Sequence, residues 1–342
     1  MSYFLIPKTY DYKIKNSDNL QDKMTCQSPS LNFQLLFLIN QLHELIKNQP
    51  IINIKESIID NYYYLYNSFE NTCVSKLIYK SNIFYEFIEL ISFINLNFFF
   101  NQDTISVYIN EDDEQNIIIN SIKYHRAQQN VNDKDKYFIK NDINEQYNLI
   151  IFNYTYEFNS DLNLFFYTSI KLVLDNLNDN GIFILKVPNL DDLIINQIVY
   201  LLSYLFDKIH IIKPAISSSF TNNKYILCKG FCNNKEIKKL FNDNNNITLM
   251  LDTQLPIYFI NKFKDINIVI GKKKLDNING LVNLLINKFD SDKLSIYYKN
   301  NLVKCVNWCD KYKIPYNKFT NQINIFLSKN CKTNDDIVYE YL

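Results

Sequence analysis

The sequence has little of what usually marks a charged binding surface. Its 342 residues include a single arginine, Arg126, and the 36 basic side chains are balanced by 36 acidic ones, so the formal net charge is zero. With one arginine, guanidinium forks to phosphate or carboxylate are nearly absent, and lysine has to supply positive charge. The zero net charge removes any global argument for nucleic-acid binding, although a local basic patch stays open.

Long apolar runs and a cysteine framework are also missing. No window is long enough to span a bilayer, and "MSYFLIPKTY" is not expected to act as a signal peptide, because it has no basic start and Pro7 breaks its apolar run. Seven cysteines, an odd number with scattered spacing, indicate free thiols in a reducing compartment. The sequence therefore predicts a cytoplasmic protein without membrane contact. Its 47% hydrophobic content is enough for a large core.

Three regions follow from the order of the predicted elements. Residues 1–76 are predicted to be mainly helical after an extended start, and residues 232–342 are predicted to be a second mainly helical region. Residues 77–231 alternate helix and strand, with "GIFILKVP" as a strand buried on both faces. This alternation predicts an α/β fold with a Rossmann-like doubly wound sheet. The last two strands, "KIHIIKP" and "KYILCKGF", are joined by a short loop, which predicts an antiparallel edge pair.

Specific stretches resemble the FtsJ-like (RrmJ-type) RNA ribose 2′-O-methyltransferases. They are "KSNIFYEFIEL", "NGIFILKV" and "LFDKIHIIKPAISSSFTNNKYILCKGF", and the match runs from residue 79 to residue 231. The resemblance implies a methyltransferase fold, S-adenosylmethionine as cofactor and RNA as substrate. The excess of Asn, Ile, Lys, Tyr and Phe is typical of an AT-rich genome, and a large DNA virus is the predicted source.

The family's Lys-Asp-Lys-Glu tetrad is degenerate in this chain. By the resemblance its positions fall at Glu86, at or beside Asn153, at Lys186 and at Asn223. Only Lys186, the central lysine that would act as the base, is retained, and the asparagines cannot supply the charge of the two lost carboxylates. We therefore interpret Lys186 as a relic of the catalytic site; the plainer alternative is a strand-end lysine that reaches solvent.

The cofactor turn of the family is altered as well. Where the family has a glycine-rich turn after its first strand, this chain has "EDDEQ", Glu111 to Gln115. A bulky, anionic turn is expected to fill the pocket and to repel the cofactor's carboxylate; a solvated loop at a helix start is the plainer interpretation. Asp142 could match the aspartate on the adenine side. We predict that no cofactor binds, or S-adenosylmethionine if the protein is active.

Lysines could still form a basic strip for RNA. Lys213, Lys224 and Lys229, with Lys186, are the candidates, and the alternative is a set of scattered, solvated lysines. No metal site is predicted, because the histidines lie far apart and the cysteine spacing does not fit zinc. Trp308 is expected in the core of the C-terminal helices rather than stacked on a cap.

The leading functional hypothesis is a catalytically inactive FtsJ-like protein. It would act as a scaffold or regulatory subunit in RNA capping, RNA metabolism or virion assembly, with a protein partner from the capping, transcription or virion machinery. Its location would be the host cytoplasm or the virion. The alternatives are an active S-adenosylmethionine-dependent cap or RNA 2′-O-methyltransferase, and an RNA-binding module without chemistry.

Overall fold

The architecture is taken from a computed structural model that describes part of the chain. The described residues are 1–10, 44, 60–67, 73–77, 79, 81–93, 104–110, 114–128, 134–139, 145–153, 162–187, 190, 193–218, 221, 223–243, 255–286 and 291–317. Three predictions therefore lie outside them: a helix over "SLNFQLLFLINQLHELIKNQ" in the first region, apart from Glu44, residues 111–113 of the acidic turn, and Asp142.

Seven strands form one mixed sheet in the order β1-β6-β7-β5-β4-β2-β3. The strands are β1 Ser2–Ile6, β2 Ser106–Asn110, β3 Lys136–Ile139, β4 Tyr147–Asn153, β5 Leu177–Val187, β6 Phe206–Lys213 and β7 Lys224–Phe231. Strands β3, β2, β4 and β5 are parallel neighbours, whereas β7 runs antiparallel between β5 and β6. The predicted α/β, Rossmann-like class and the antiparallel pair of β6 and β7 are confirmed.

Helices cover both faces of this sheet. They are α1 Asn82–Phe93, α2 Gln115–Ala127, α3 Leu162–Asn176, α4 Leu193–Leu205, α5 Lys235–Asp243, α6 Ile257–Ile286 and α7 Ser291–Tyr312. The apolar sides of α1 and α2 pack on one face, with Val107, Ile151 and Ile184 of the sheet. The apolar sides of α3 and α4 pack on the other face, with Ile150 and Phe183. Side chains of β4 and β5 therefore alternate between two dry layers, which is why these strands read as continuous apolar runs.

The described part of the C-terminal region adds to both layers. Helix α6 contacts α4 and the edge strand β1, while α7 contacts α1 and the short 3-10 helix Tyr63–Leu65. In the described residues no helix is both long and apolar enough to cross a membrane.

Two local predictions were wrong. The helical pattern of "ESIIDNYYYLYNSFE", residues 56–70, predicted a second helix in the first region, but the described residues 60–67 hold only the 3-10 helix Tyr63–Leu65. Helix α3 was predicted over residues 162–177 and ends at Asn176, but "NDNG", which was predicted to close the helix, already belongs to strand β5. The pairing of β4 with β5 jumps from Leu177 to Ile182, and Asn180 adopts a φ of 62°. Gly181 is required because a Cβ there would lie 2.7 Å from the backbone carbonyl oxygen of Asn178.

Candidate functional site

Three strands bring polar residues together at one end of the sheet. Lys186, next to the last residue of β5, is the register partner of Asn153 on β4 and of Tyr225 on β7. Each of the three stands two residues from an apolar residue of the layer under α1: Ile151, Ile184 or Leu227. Residues two apart in a strand point to the same face, so the three side chains lie on the face that α1 covers. The site is thus built where the parallel strands end, as is usual for ligand sites in open α/β sheets.

Helix α1 adds Glu86 to the same face. This helix begins after Ser81, whose Oγ accepts a hydrogen bond from the Ile83 amide at 3.2 Å. Glu86 is 4% exposed, and its Oε2 accepts a hydrogen bond of 2.6 Å from the Tyr225 hydroxyl. Because Tyr225 is the register partner of Lys186, Glu86 stands within this polar group. Its carboxylate is held by the tyrosine.

Asn223 stands just before β7, and its carbonyl oxygen accepts a hydrogen bond from Lys213 Nζ at 3.2 Å. All four predicted tetrad positions therefore meet at one end of the sheet. Tyr225 was not predicted as a site residue, although it directly follows the matched "NNK". It stands two residues before Leu227 and therefore lies on the same face of the sheet as Leu227 and Lys186.

The amide of Asn153 is buried without a hydrogen bond. The residue is 5% exposed, and neither its Oδ1 nor its Nδ2 has a partner. Lys186 beside it is 8% exposed. An amide can donate and accept hydrogen bonds but carries no charge, so it does not act as a counterion for the ammonium.

The family model described as FtsJ-like methyltransferase matches residues 115–231. This segment belongs to the FtsJ-like family. Over 183 residues the chain is 23% identical to cap-specific mRNA (nucleoside-2′-O-)-methyltransferase 2 of Pongo abelii. The match takes in 49% of this chain and 23% of that protein, so the chain spans less than a quarter of the relative's length.

One similar solved structure is phosphoethanolamine N-methyltransferase 2 of Haemonchus contortus in complex with phosphomonomethylethanolamine and S-adenosylhomocysteine. It is 11% identical, covers 43% of this chain and 38% of its own, and has a TM-score of 0.27. At that TM-score the likeness supports no statement about this chain.

The FtsJ-like segment has one strand, β3, in the described residues between α2 and β4. Where the acidic turn follows β2, only Glu114 and Gln115 are described, and Gln115 opens α2. The predicted filling of the cofactor pocket by Glu111 to Glu114 therefore stays a prediction, as does the part assigned to Asp142.

The lysines of the FtsJ-like segment do not form one strip. Lys224 pairs in register with Val187 at the Lys186 end of the sheet, whereas Lys229 pairs with Ile182. Five residues of strand put Lys229 about 17 Å away from Lys224. Lys224 is 4% exposed, and burial, followed by the charge of Lys208, lowers the pKa of Lys229 to about 8. RNA contact by Lys213, Lys224 and Lys229 remains a prediction, but Lys229 does not lie at the Lys186 end of the sheet.

Lys213 holds the loop between β6 and β7. Its Nζ, which has three N–H donors, lies within hydrogen-bond distance, 2.8–3.2 Å, of five oxygens: Ser217 Oγ, the carbonyls of Ser218, Thr221 and Asn223, and Thr221 Oγ1. Burial, followed by the charge of Lys224, lowers the pKa of Lys213 to about 8. Its ammonium is directed into this loop, which carries Asn223 to the edge of the candidate site.

Replacing Lys213 with methionine is expected to lower the free energy of unfolding by about 2 kcal/mol, because oxygens of the loop lose a charged donor. Amide hydrogen exchange between residues 214 and 223 should accelerate. Lys208→Met, on the exposed part of the same strand, is the matched control and should change stability by less than about 0.5 kcal/mol. Equal effects of the two substitutions in urea melts would show that the loop does not depend on Lys213.

A second buried acid, Glu89, lies one turn further along α1. It is 1% exposed, its Oε1 accepts a hydrogen bond of 2.7 Å from Trp308 Nε1, and its Oε2 accepts one of 2.6 Å from the Ala215 amide. Burial raises the pKa of this carboxyl, and the Trp308 hydrogen bond opposes that shift. Trp308 is 4% exposed and packs against Tyr85, which confirms its prediction as a core residue. The signal in the sequence was an acid within the apolar stretch "FIELISF".

The described cysteines are free thiols: Cys73, Cys228, Cys232, Cys305 and Cys309. Burial raises the pKa of Cys309 to about 12 and that of Cys228 well above its ordinary value, so these thiols are not activated nucleophiles. Within the described ranges, no three His, Cys, Asp or Glu side chains are grouped so that they could hold a metal ion.

Proposed function

We propose that this chain is a non-catalytic FtsJ-like protein that serves RNA capping or RNA metabolism as a scaffold or regulatory subunit. The observation that carries the proposal is Asn153 beside Lys186, a neutral amide at the register position next to the retained lysine. The fold is that of a methyltransferase, but among the described residues no carboxylate forms an ion pair with the Lys186 ammonium.

The chemistry explains why this arrangement does not favour transfer. A ribose hydroxyl is a weak nucleophile and requires a base with a pKa near the working pH, held in place by its neighbours. Glu86 is the only acid among the four tetrad positions, and its Oε2 is bonded to the Tyr225 hydroxyl. Asn153 has no hydrogen bond with which to orient Lys186. The ammonium thus lacks the positioning that a catalytic lysine needs.

The RNA context rests on the family and on one relative. That relative is cap-specific for mRNA by its name, and this chain matches 23% of it. We extend capping or a related RNA process to this chain, with a protein component of the capping, transcription or virion machinery as partner. The cytoplasm of a host cell, or a virion, is the proposed location.

The test is methyl transfer from labelled S-adenosylmethionine to capped and uncapped RNA by the full chain. We expect no transfer above the protein-free background, and no shift in melting temperature with the cofactor, since a specific ligand would stabilise the folded state. A catalytically active 2′-O-methyltransferase on the same RNA is the positive control. Transfer by this chain that disappears in Lys186→Ala would establish an active enzyme instead.

A further inference from the structure

Two lysines stand side by side at the end of the sheet opposite to Lys186. Lys208 on β6 and Lys229 on β7 are register partners on antiparallel strands, so their Cβ atoms lie about 4.5–5.5 Å apart. His210 and Lys208 precede Ile212 by two and four residues, and Ile212 belongs to the layer under α1. Residues two apart in a strand point to the same face, so the two lysines and His210 lie together on the α1 side of the sheet.

Exposed apolar side chains continue this surface along the edge strand β1. Leu5 is the register partner of His210, and Tyr3 is that of Ile212. The Tyr3 ring lies against Phe93, the last residue of α1, with 4.8 Å between the ring centroids. Leu5 is 54% exposed, Tyr3 is 59% exposed and the lysine of β6 is exposed, so this part of the sheet is open to solvent. We call the following five residues the edge surface: Tyr3, Leu5, Lys208, His210 and Lys229.

The edge surface carries positive charge that its own strands do not offset. The like charges of Lys208 and Lys229 repel each other across the two strands. Burial, followed by the charge of Lys208, lowers the pKa of Lys229 to about 8, and burial, followed by the charges of Lys229 and Lys208, lowers the pKa of His210. Asp207, the one acid of the three strands, alternates to the other face, where it pairs with Lys8. An anion bound at the two lysines would offset their repulsion.

We propose that the edge surface binds single-stranded RNA, with a phosphate at the Lys208–Lys229 pair and a base stacked on Tyr3. The two anchor points are separated by four residues of β6, about 13 Å along the strand, so a segment of a few nucleotides joins them. Each ammonium attracts phosphate as a point charge, and the exposed side of the Tyr3 ring offers a surface on which any base can stack. This inference rests on the proposed function, which supplies RNA rather than DNA as the nucleic acid.

The exposed aromatic ring favours RNA over an acidic protein segment. A glutamate-rich segment would pair with the two lysines but would have no flat group to place on Tyr3, whereas unpaired bases stack on aromatic side chains. A duplex is disfavoured as well, because its bases are already stacked on one another. The lysines lie at the opposite end of the sheet from Lys186, so RNA binding at the edge surface does not require methyl transfer.

The test is the fluorescence anisotropy of labelled decauridylate titrated with the full chain at several salt concentrations. Each lysine that neutralises a phosphate of a single strand contributes about −0.7 to the slope of log K against log salt. Lys208→Met and Lys229→Met should therefore each reduce the magnitude of the slope by about 0.7. Lys136→Met is the matched control, because Lys136 is an exposed lysine on β3, the strand at the opposite edge of the sheet, and the slope should stay unchanged in that variant.

Two further variants separate stacking from charge and binding from folding. Tyr3→Leu keeps an apolar side chain against Phe93 but removes the aromatic ring, so the affinity should fall about tenfold while the salt slope stays the same. Lys208→Glu places opposite charges in register with Lys229, so RNA binding should be lost while the melting temperature does not fall.

An unchanged salt slope in both lysine-to-methionine variants would overturn the proposal, as would an unchanged affinity in Tyr3→Leu. Displacement of the RNA by polyglutamate of the same length would indicate an acidic protein partner instead. The methyl-transfer assay is independent of these results. Transfer that requires Lys186 would refute the non-catalytic function even if the edge surface binds RNA, whereas no transfer together with no binding of decauridylate would refute only the edge surface.

Discussion

Replacing Arg126 with methionine is expected to lower the free energy of unfolding by about 3–5 kcal/mol, because it leaves a buried carboxylate without its cation. Arg126 Nε lies 2.6 Å from Asp135 Oδ2, and the two side chains are 2% and 1% exposed. The pair joins the end of α2 to the start of β3. Nε makes no hydrogen bond, so the two groups interact as an ion pair.

Asp135 also holds the sheet through its other oxygen, since Oδ1 accepts a hydrogen bond of 2.9 Å from the Ile105 amide. Asp135→Asn keeps that acceptor and removes the charge. In the double variant Arg126→Met/Asp135→Asn, the loss should therefore be smaller than the sum of the two single losses. Arg126→Lys should remain destabilising, because a flexible ammonium does not reproduce the geometry of the guanidinium.

The partly exposed ion pair of Lys238 and Asp175 provides the matched control. Its side chains are 35% and 32% exposed, and its 3.1 Å contact is screened by water. Lys238→Met should cost less than about 1 kcal/mol in the same urea melts. If Arg126→Met costs no more than Lys238→Met, the buried pair is not a stabilising feature of the sheet.

This pair shows where sequence reasoning stopped. Nothing in "KYHRAQQ" indicated that the one arginine is buried. Its partner, Asp135, follows it by nine residues and precedes strand β3, so the pair forms only when α2 and β3 are packed together. Side-chain pairs of this kind depend on how helices and strands pack, and the periodicity of apolar residues in the sequence does not predict them.

The sheet itself was far more accessible to prediction. A strand buried on both faces has to be apolar throughout, so "GIFILKVP" and "YNLIIFNY" were identifiable as β5 and β4. The antiparallel β7 followed from the short loop after β6. The extended start of the chain was predicted, but its place at the edge of the sheet was not, because "SYFLI" reaches that place by pairing with β6, a distant part of the chain.

The candidate site was predictable as a set of positions but not as a set of contacts. The family resemblance placed Glu86, Asn153, Lys186 and Asn223, and the sheet brings their positions to one end. The bond from Tyr225 to Glu86 and the unbonded amide of Asn153 required the structure. They depend on side-chain directions across three elements, which no local pattern records.

Acidification is expected to change the fluorescence of Trp308 while the protein stays folded. Trp308 is the only tryptophan, and its indole donates to Glu89. Both donors to this carboxylate, the indole and the Ala215 amide, are unable to accept a hydrogen bond. Once Glu89 is protonated, one of its oxygens becomes a donor and one of the two links must weaken. The links join α1 to α7 and to the loop after β6, so protonation loosens one of these contacts.

The midpoint of that change should lie above the ordinary glutamate pKa of about 4.3. Burial raises the pKa of Glu89; the hydrogen bond from Trp308 and the amino group of Met1 lower it, and the charge of Glu86 raises it. The tyrosines Tyr62 and Tyr312 stand near this group. Burial raises the pKa of both hydroxyls, so they stay protonated across the acidic range and do not produce the transition.

The same proton sets the direction of the stability change. The folded protein binds it more tightly than the unfolded chain, so the contribution of Glu89 to the free energy of unfolding is largest below the ordinary glutamate pKa. That contribution falls as the pH rises through the raised pKa. At neutral pH the buried carboxylate therefore lowers the free energy of unfolding, while its two hydrogen bonds link α1 to α7 and to the loop after β6.

Glu89→Gln decides whether this carboxyl is the source. The amide does not titrate, so the transition in Trp308 emission should disappear, with excitation at the red edge where tyrosine does not absorb. Glu86→Gln is the matched control on the same helix: Glu86 accepts from Tyr225 rather than from the indole, and the transition should persist in that variant. An unchanged transition in Glu89→Gln, or a midpoint no higher than that of an exposed glutamate, would show that Glu89 does not couple α7 to the rest of the fold through its proton.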